Sequence, residues 1–96
     1  MSMTRFQPVD AATAIGQLPE WTVAREGRAI SRTFLFPDFG CALAFMIRVG
    51  VQAEKLDHHP EWRNVYNRVE VELTTHDAGT VTTLDVALAR LMDEAC

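Results

Sequence analysis

No stretch of this 96-residue chain approaches the roughly 18 consecutive apolar residues that cross a bilayer as a helix, which argues against a membrane protein. The opening Met1-Ser2-Met3-Thr4-Arg5 lacks the apolar run of a secretory signal, so the chain reads as cytoplasmic. Positive charge is also scarce: nine Lys and Arg stand against thirteen Asp and Glu, for a net charge of −4. The cations are scattered among acids, whereas a phosphate-binding surface gathers them on one face; nucleic acid is not an expected partner. Cysteine occurs only as Cys41 and Cys96, in no metal spacing and in no disulfide framework. Cys41 reads as a small buried hydrophobe in a helix and Cys96 as a free terminal thiol. Ser2 and Ser31 have no partner at the spacing a nucleophile needs. Repeats, low-complexity segments and linkers are missing too, and a chain of this length suffices for one domain, 1–96, and not for two.

What is present is patterned. Asp10 as N-cap and Pro19 just after Leu18 bracket a short helix over 10–18. Residues 21–24 read as extended, Glu26-Gly27 as a turn and 29–36 as a second strand, the two forming a hairpin. Ile30, Phe34 and Phe36 share one face of that strand, with Arg32 the exception. Asp38 caps the longest helix, reaching about Leu56, with Phe39, Ala42, Leu43, Met46, Val49, Gly50 and Ala53 in one stripe. Phe45, Ile47 and Val51 lie outside the stripe. Either the helix is buried widely within one subunit, or part of its arc covers another. Val69 to Leu73 alternates, one face buried and one charged. The segment 64–75 is one strand, or two joined by a turn near Asn67. Thr82-Thr83-Leu84-Asp85 has capping-box form and opens a last helix with Leu84, Ala87, Leu88, Leu91 and Ala95 inward. This order of elements is that of an α+β fold, helices packed on an antiparallel sheet.

The three histidines sit at element ends, where side chains converge without disturbing a core. His58-His59-Pro60 follows the long helix, and His76-Asp77 closes the alternating strand. Histidine gives and takes protons near neutral pH better than any other side chain. Glu54, four residues before His58, would share its helix face and hold its ring if the helix continued. Trp62 offers either a flat wall for a planar ring or core packing. Asp77 orients His76 or caps a turn at Gly79. A zinc site is disfavoured, because adjacent histidines point apart and no i,i+4 pair exists.

The string Glu54-Lys55-Leu56-Asp57-His58-His59-Pro60-Glu61-Trp62-Arg63-Asn64-Val65-Tyr66-Asn67-Arg68-Val69, with Leu73-Thr74-Thr75-His76-Asp77 downstream, resembles the signature of pterin-4a-carbinolamine dehydratases. Phe34-Leu35-Phe36 followed by Phe39, Ala42 and Phe45 is similar to that family's passage from strand to helix. The likeness covers roughly residues 15 to 95. It implies a four-stranded antiparallel sheet with three helices on one face, in the order α-β-β-α-β-β-α. It implies a pterin substrate, no metal, no cofactor, and a homodimer or homotetramer. By matching positions, His58 and His76 are the acid–base residues. His59 joins them in the catalytic set and lines the pterin site with Pro60 and Trp62; Glu54 and Asp77 complete the substrate contacts. One departure is visible. The family continues after Thr-His-Asp with a Gly-Gly-Leu-Thr-like turn, whereas Ala78-Gly79-Thr80-Val81 stands here, and Thr80 is not a residue that readily adopts positive φ.

The implied reaction is loss of water from a 4a-hydroxytetrahydropterin, giving the quinonoid dihydropterin, as in tetrahydrobiopterin recycling. Hydroxide leaves poorly, so an acid protonates it while a base removes the N5 proton. The competing reading is a non-enzymatic interaction protein, a dimerisation cofactor that uses the apolar face of the long helix. Proton transfer by two histidines also sets a geometric condition. A straight strand of about ten residues carries the chain ~33 Å, so within one subunit His58 and His76 can share a substrate only if 64–75 folds back as a hairpin.

Overall fold

The computed structural model describes residues 5–95; Met1–Thr4 and Cys96 lie outside it, and with them the readings of the opening residues, of Ser2 and of Cys96. The chain begins with helix α1 (Ala11–Ala14), capped by Asp10, whose carboxylate accepts from the Thr13 N–H at 3.1 Å. A 3-10 turn, Ile15–Gln17, completes the segment expected as one helix. Strands β1 (Thr22–Ala24) and β2 (Ala29–Leu35) form the expected hairpin, and α2 (Phe39–Leu56) follows with Asp38 as its N-cap. Then come β3 (Glu61–Val65), β4 (Arg68–Leu73) and α3 (Thr83–Ala95). The antiparallel sheet has four strands in the order β1-β2-β4-β3.

The segment 64–75 is therefore two strands. The turn between them is built by two asparagines. Asn64 Nδ2 donates to the carbonyls of Tyr66 and Arg68 at 3.1 and 2.9 Å, and Asn67 Nδ2 donates to Phe36 O at 2.8 Å. Tyr66, not Asn67, takes the left-handed conformation, at φ 51°. Braced carbonyls hold a bulky residue where a turn residue was expected.

Register puts Ile30, Phe34, Val69, Val71 and Leu73 on one sheet face, where all are buried against the helices. Arg32 shares that face. Its guanidinium donates to Asp93 of α3 at 2.6 Å and lies 4.1 Å from the Phe34 ring centroid, which reconciles a cation with the core side of the strand. Trp21 Nε1 donates to the same carboxylate at 2.8 Å.

Both long helices are rotated from their sequence-derived stripes. In α2 the buried residues are Ala42, Phe45, Val49 and Ala53, while Phe39 and Leu43 are exposed. Phe45, placed outside the stripe by periodicity, packs on Phe34 and Phe36 with ring centroids 4.7 and 5.0 Å apart. A helix apolar on most sides has no unique inward face by pattern, and aromatic packing on the sheet selects it. In α3 the buried residues are Asp85, Leu88, Ala89 and Met92, and Ala87 is exposed. Apolar periodicity cannot place a buried carboxylate. Cys41 is exposed rather than buried, and the hydrogen-bonding Asp38 carboxylate raises its thiol pKa, which disfavours the reactive thiolate. Among the described residues no helix is long and apolar enough to cross a membrane.

Candidate active site

Helix α2 ends in a Schellman motif. Asp57 takes the left-handed conformation at φ 53°, its N–H donates to Glu54 O and the His58 N–H donates to Ala53 O, each at 3.1 Å. The chain thereby leaves the helix direction between Leu56 and His58. The consequence corrects the sequence reading: Glu54 does not pair with His58. It hydrogen-bonds His59 Nε2 at 2.9 Å on the exposed side, while His58 turns inward and is buried. Arg5 caps the same helix end, donating to Leu56 O at 2.6 Å and Asp57 O at 3.1 Å.

The partner of His58 is Asp85, a residue read only as a helix cap. The capping box forms: the Thr82 N–H donates to Asp85 Oδ2 at 2.8 Å, and Leu84 N–H donates to Thr82 Oγ1 at 3.2 Å. Asp85 is fully buried, and its second oxygen meets His58 Nε2 at 2.6 Å. Thr75 Oγ1 donates to Asp85 Oδ2 at 2.7 Å and lies 2.7 Å from Thr82 Oγ1. The donors form one directed chain. Leu84 N–H points at Thr82 and Thr75 O–H points at Asp85, so the Thr82 hydroxyl supplies the proton between the two threonines. As a carboxylate Asp85 only accepts, which assigns the Nε2 proton to His58 and leaves Nδ1 able to accept one.

His76 lies just beyond β4, three residues past its end, in a turn rather than at the strand terminus. The turn is closed by backbone bonds from Ala78 and Gly79 to Thr75 O, at 3.1 and 2.9 Å, without the Asp77 side chain. Gly79 supplies the positive φ, 68°, and Thr80 pairs with Thr75; the departure from the family's turn costs no left-handed threonine. Nor does Asp77 orient His76: His76 Nε2 meets Glu61 Oε2 at 2.7 Å.

The hairpin brings the three histidines to one cavity of about 410 Å³. His58, His59, Pro60, His76 and Asp77 line it, joined by Arg5, Phe6, Asp57, Glu61, Thr74, Thr75 and Leu84, which sequence reasoning did not select. Glu54 and Trp62 do not line it. Trp62, paired with Val71 across the sheet, packs on the hydrophobic core. Among the described residues no group of three or more His, Cys, Asp or Glu side chains is disposed to hold a metal ion.

The pterin 4 alpha carbinolamine dehydratase family matches residues 4–95. A protein of Bordetella avium, provisionally named pterin-4-alpha-carbinolamine dehydratase, is 53% identical over 95% of this chain and 84% of its own length. One of Novosphingobium aromaticivorans with the same provisional name is 50% identical over 97% of both chains. The crystal structure of a Brucella melitensis protein, described as a transcriptional coactivator/pterin dehydratase, superposes with a TM-score of 0.84 at 46% identity, covering 88% of this chain and 89% of the other. With its signature, its fold and its relatives in accord, the chain belongs to the pterin 4 alpha carbinolamine dehydratase family and is a dehydratase of that family.

Proposed function

We propose that this enzyme dehydrates 4a-hydroxytetrahydropterins, in tetrahydrobiopterin recycling, by proton transfer between substrate and the pair His58 and His76. The observation that carries the reading is the convergence of histidines from two separate elements on one cavity of a size suited to a small planar ligand. In the reaction the C4a–O bond breaks with protonation of the hydroxyl, which leaves as water. N5 loses its proton and forms the double bond to C4a. Two imidazoles in opposite protonation states perform both transfers, and the acid and base roles are assigned to the pair jointly. Asp85 holds His58 in one tautomer. His59, exposed and, among the described residues, hydrogen-bonded to Glu54, serves the ring's placement with Pro60 and Asp77. Decay of a freshly made 4a-hydroxytetrahydropterin, followed with and without the protein, tests the proposal. Dehydration no faster than background would overturn it. Activity is expected to survive dialysis against a strong chelator; a loss that added Zn²⁺ restores would show that proton transfer alone is insufficient.

We further propose that the chain self-associates, as a dimer or tetramer in the cytoplasm. Phe39, Leu43, Ile47 and Val51 form an exposed row along α2 at a four-residue spacing, between 43% and 58% accessible. Sedimentation at micromolar concentration is expected to give an oligomer that Ile47→Asp dissociates; a wild-type monomer contradicts the assignment. The rival reading, a partner-binding module, would use the same row. The coactivator description belongs to the Brucella protein, and a dehydratase needs no partner protein to accelerate carbinolamine decay.

A further inference from the structure

We propose that Arg25 is a positioning residue for His76, acting through Glu61, so that the turn between β1 and β2 sets the orientation of one proton-transfer ring. The inference rests on the reading of His76 as a proton-transfer residue.

Glu61 and Glu72 are cross-strand partners on β3 and β4, on the sheet face away from the helices. Two carboxylates directly opposite one another repel. Arg25 reaches between them. Its Nη2 and Nη1 fork onto the Glu61 oxygens at 2.5 and 3.4 Å, and its Nε pairs with Glu72. The Glu61 oxygen at the longer distance, Oε2, is the one that meets His76 Nε2. The four side chains form an alternating series, Glu72, Arg25, Glu61, His76.

The backbone at Arg25 is specialised for this. Arg25 and Glu26 are both left-handed, at φ 50° and 55°, before Gly27 at 91°. Left-handed conformations are unfavourable for residues with a Cβ, and a turn made for connection alone would place glycine or asparagine there. The turn instead carries a long cation to the two carboxylates. The His76 side chain is 76% exposed, and among the described residues Glu61 is its hydrogen-bond partner. An imidazole held at one point keeps its orientation only while that anchor is fixed. Arg25 first, and His76 second, holds the Glu61 carboxyl below the usual carboxylate range, so it stays an acceptor into mild acid.

The experiment combines steady-state kinetics with ¹⁵N NMR of the imidazoles in Arg25→Gly, Arg25→Lys, Glu61→Ala and His76→Ala. In the parent enzyme neutral His76 is expected as the Nε2–H tautomer, and in Glu61→Ala and Arg25→Gly as a mixture. kcat should fall about tenfold in Glu61→Ala and several-fold in Arg25→Gly, with KM within about twofold, the signature of lost orientation. Arg25→Lys, which keeps the charge but not the fork, should lie between. Glycine suits the left-handed backbone, which offsets part of the repulsion left between Glu61 and Glu72, so Arg25→Gly should change Tm little; a merely structural arginine would lower Tm and leave the His76 tautomer unchanged. The kcat deficit of Arg25→Gly should widen as pH falls. Without Arg25 the Glu61 carboxyl, still facing Glu72 and His76, protonates closer to its ordinary range. Asp57, Asp77, His58, His59 and Arg5 around the cavity are common to both proteins, so the comparison cancels their titration. An unchanged tautomer in Arg25→Gly and Glu61→Ala overturns the proposal, as does an altered tautomer with parental kcat. If His76→Ala keeps its turnover, the proton-transfer reading of His76 fails and the proposal with it, the NMR result showing separately whether the series holds the ring.

Discussion

His58→Ala and His76→Ala should each lower kcat by about 10²-fold or more, the usual scale for losing a general acid or base, with smaller changes in KM. Both rings line the cavity, and each has one nitrogen engaged by a carboxylate, Asp85 or Glu61. The other nitrogen of each ring remains for exchange with substrate. His59→Ala should behave differently, raising KM more than it lowers kcat, because among the described residues its ring is tied to the exposed Glu54 alone. Following carbinolamine decay with each variant gives both parameters. Equal and minor effects from all three changes would favour the interaction-protein reading over the enzyme.

The second large effect is on stability as well as rate. Asp85→Ala leaves the Thr82 N–H, the Thr75 hydroxyl and the His58 ring N–H without their common acceptor in a buried place. Each unsatisfied buried donor costs about 1–3 kcal/mol, and the three share one network, so the costs do not simply add. A loss of about 3 kcal/mol or more is expected, a large part of the roughly 5–15 kcal/mol that holds a typical domain together. The N-terminal turn of α3 loses its capping box at the same time. Asp85→Asn is the informative companion. It keeps the volume but places an amide where the carboxylate accepted three bonds, so it should cost less stability while still lowering kcat. Urea unfolding of both variants, beside their kinetics, checks this. Parental stability and turnover in Asp85→Ala would mean that His58 is held by something else.

The Asp38 cap and the apolar run place helix α2 from Asp38 to about Leu56, in agreement with Phe39–Leu56. Periodicity turns Phe39 and Leu43 inward and Phe45 outward because all three are equally apolar; Ile47 and Val51, outside the stripe, are exposed. The pairing of Glu54 with His58 assumed a continuing helix, and the left-handed Asp57 breaks that assumption through a backbone choice that aspartate tolerates but does not announce. The family likeness implies a place for Trp62 at the pterin site, yet strand alternation directs it towards the core with Val71. Asp85 was visible as the acid of a capping box. That its second oxygen would be buried against His58, 27 residues away, was not.

By itself the sequence determined the order of elements, the caps, the alternation of β4 and the His-His-Pro and Thr-His-Asp strings that carry the family. These are properties of neighbours along the chain, expressed through hydrogen bonds and periodicity within a few residues. Tertiary structure alone decided which carboxylate holds which imidazole: Asp85 for His58, Glu61 for His76, Glu54 for His59. It also decided that Arg25 stands between Glu61 and Glu72. Such pairings depend on the β3–β4 register, on the rotation of α3 and on a left-handed turn, and a side chain finds its partner only after those are set. Charge and hydrogen bonding act over a few ångströms in space, with no regard for separation along the chain.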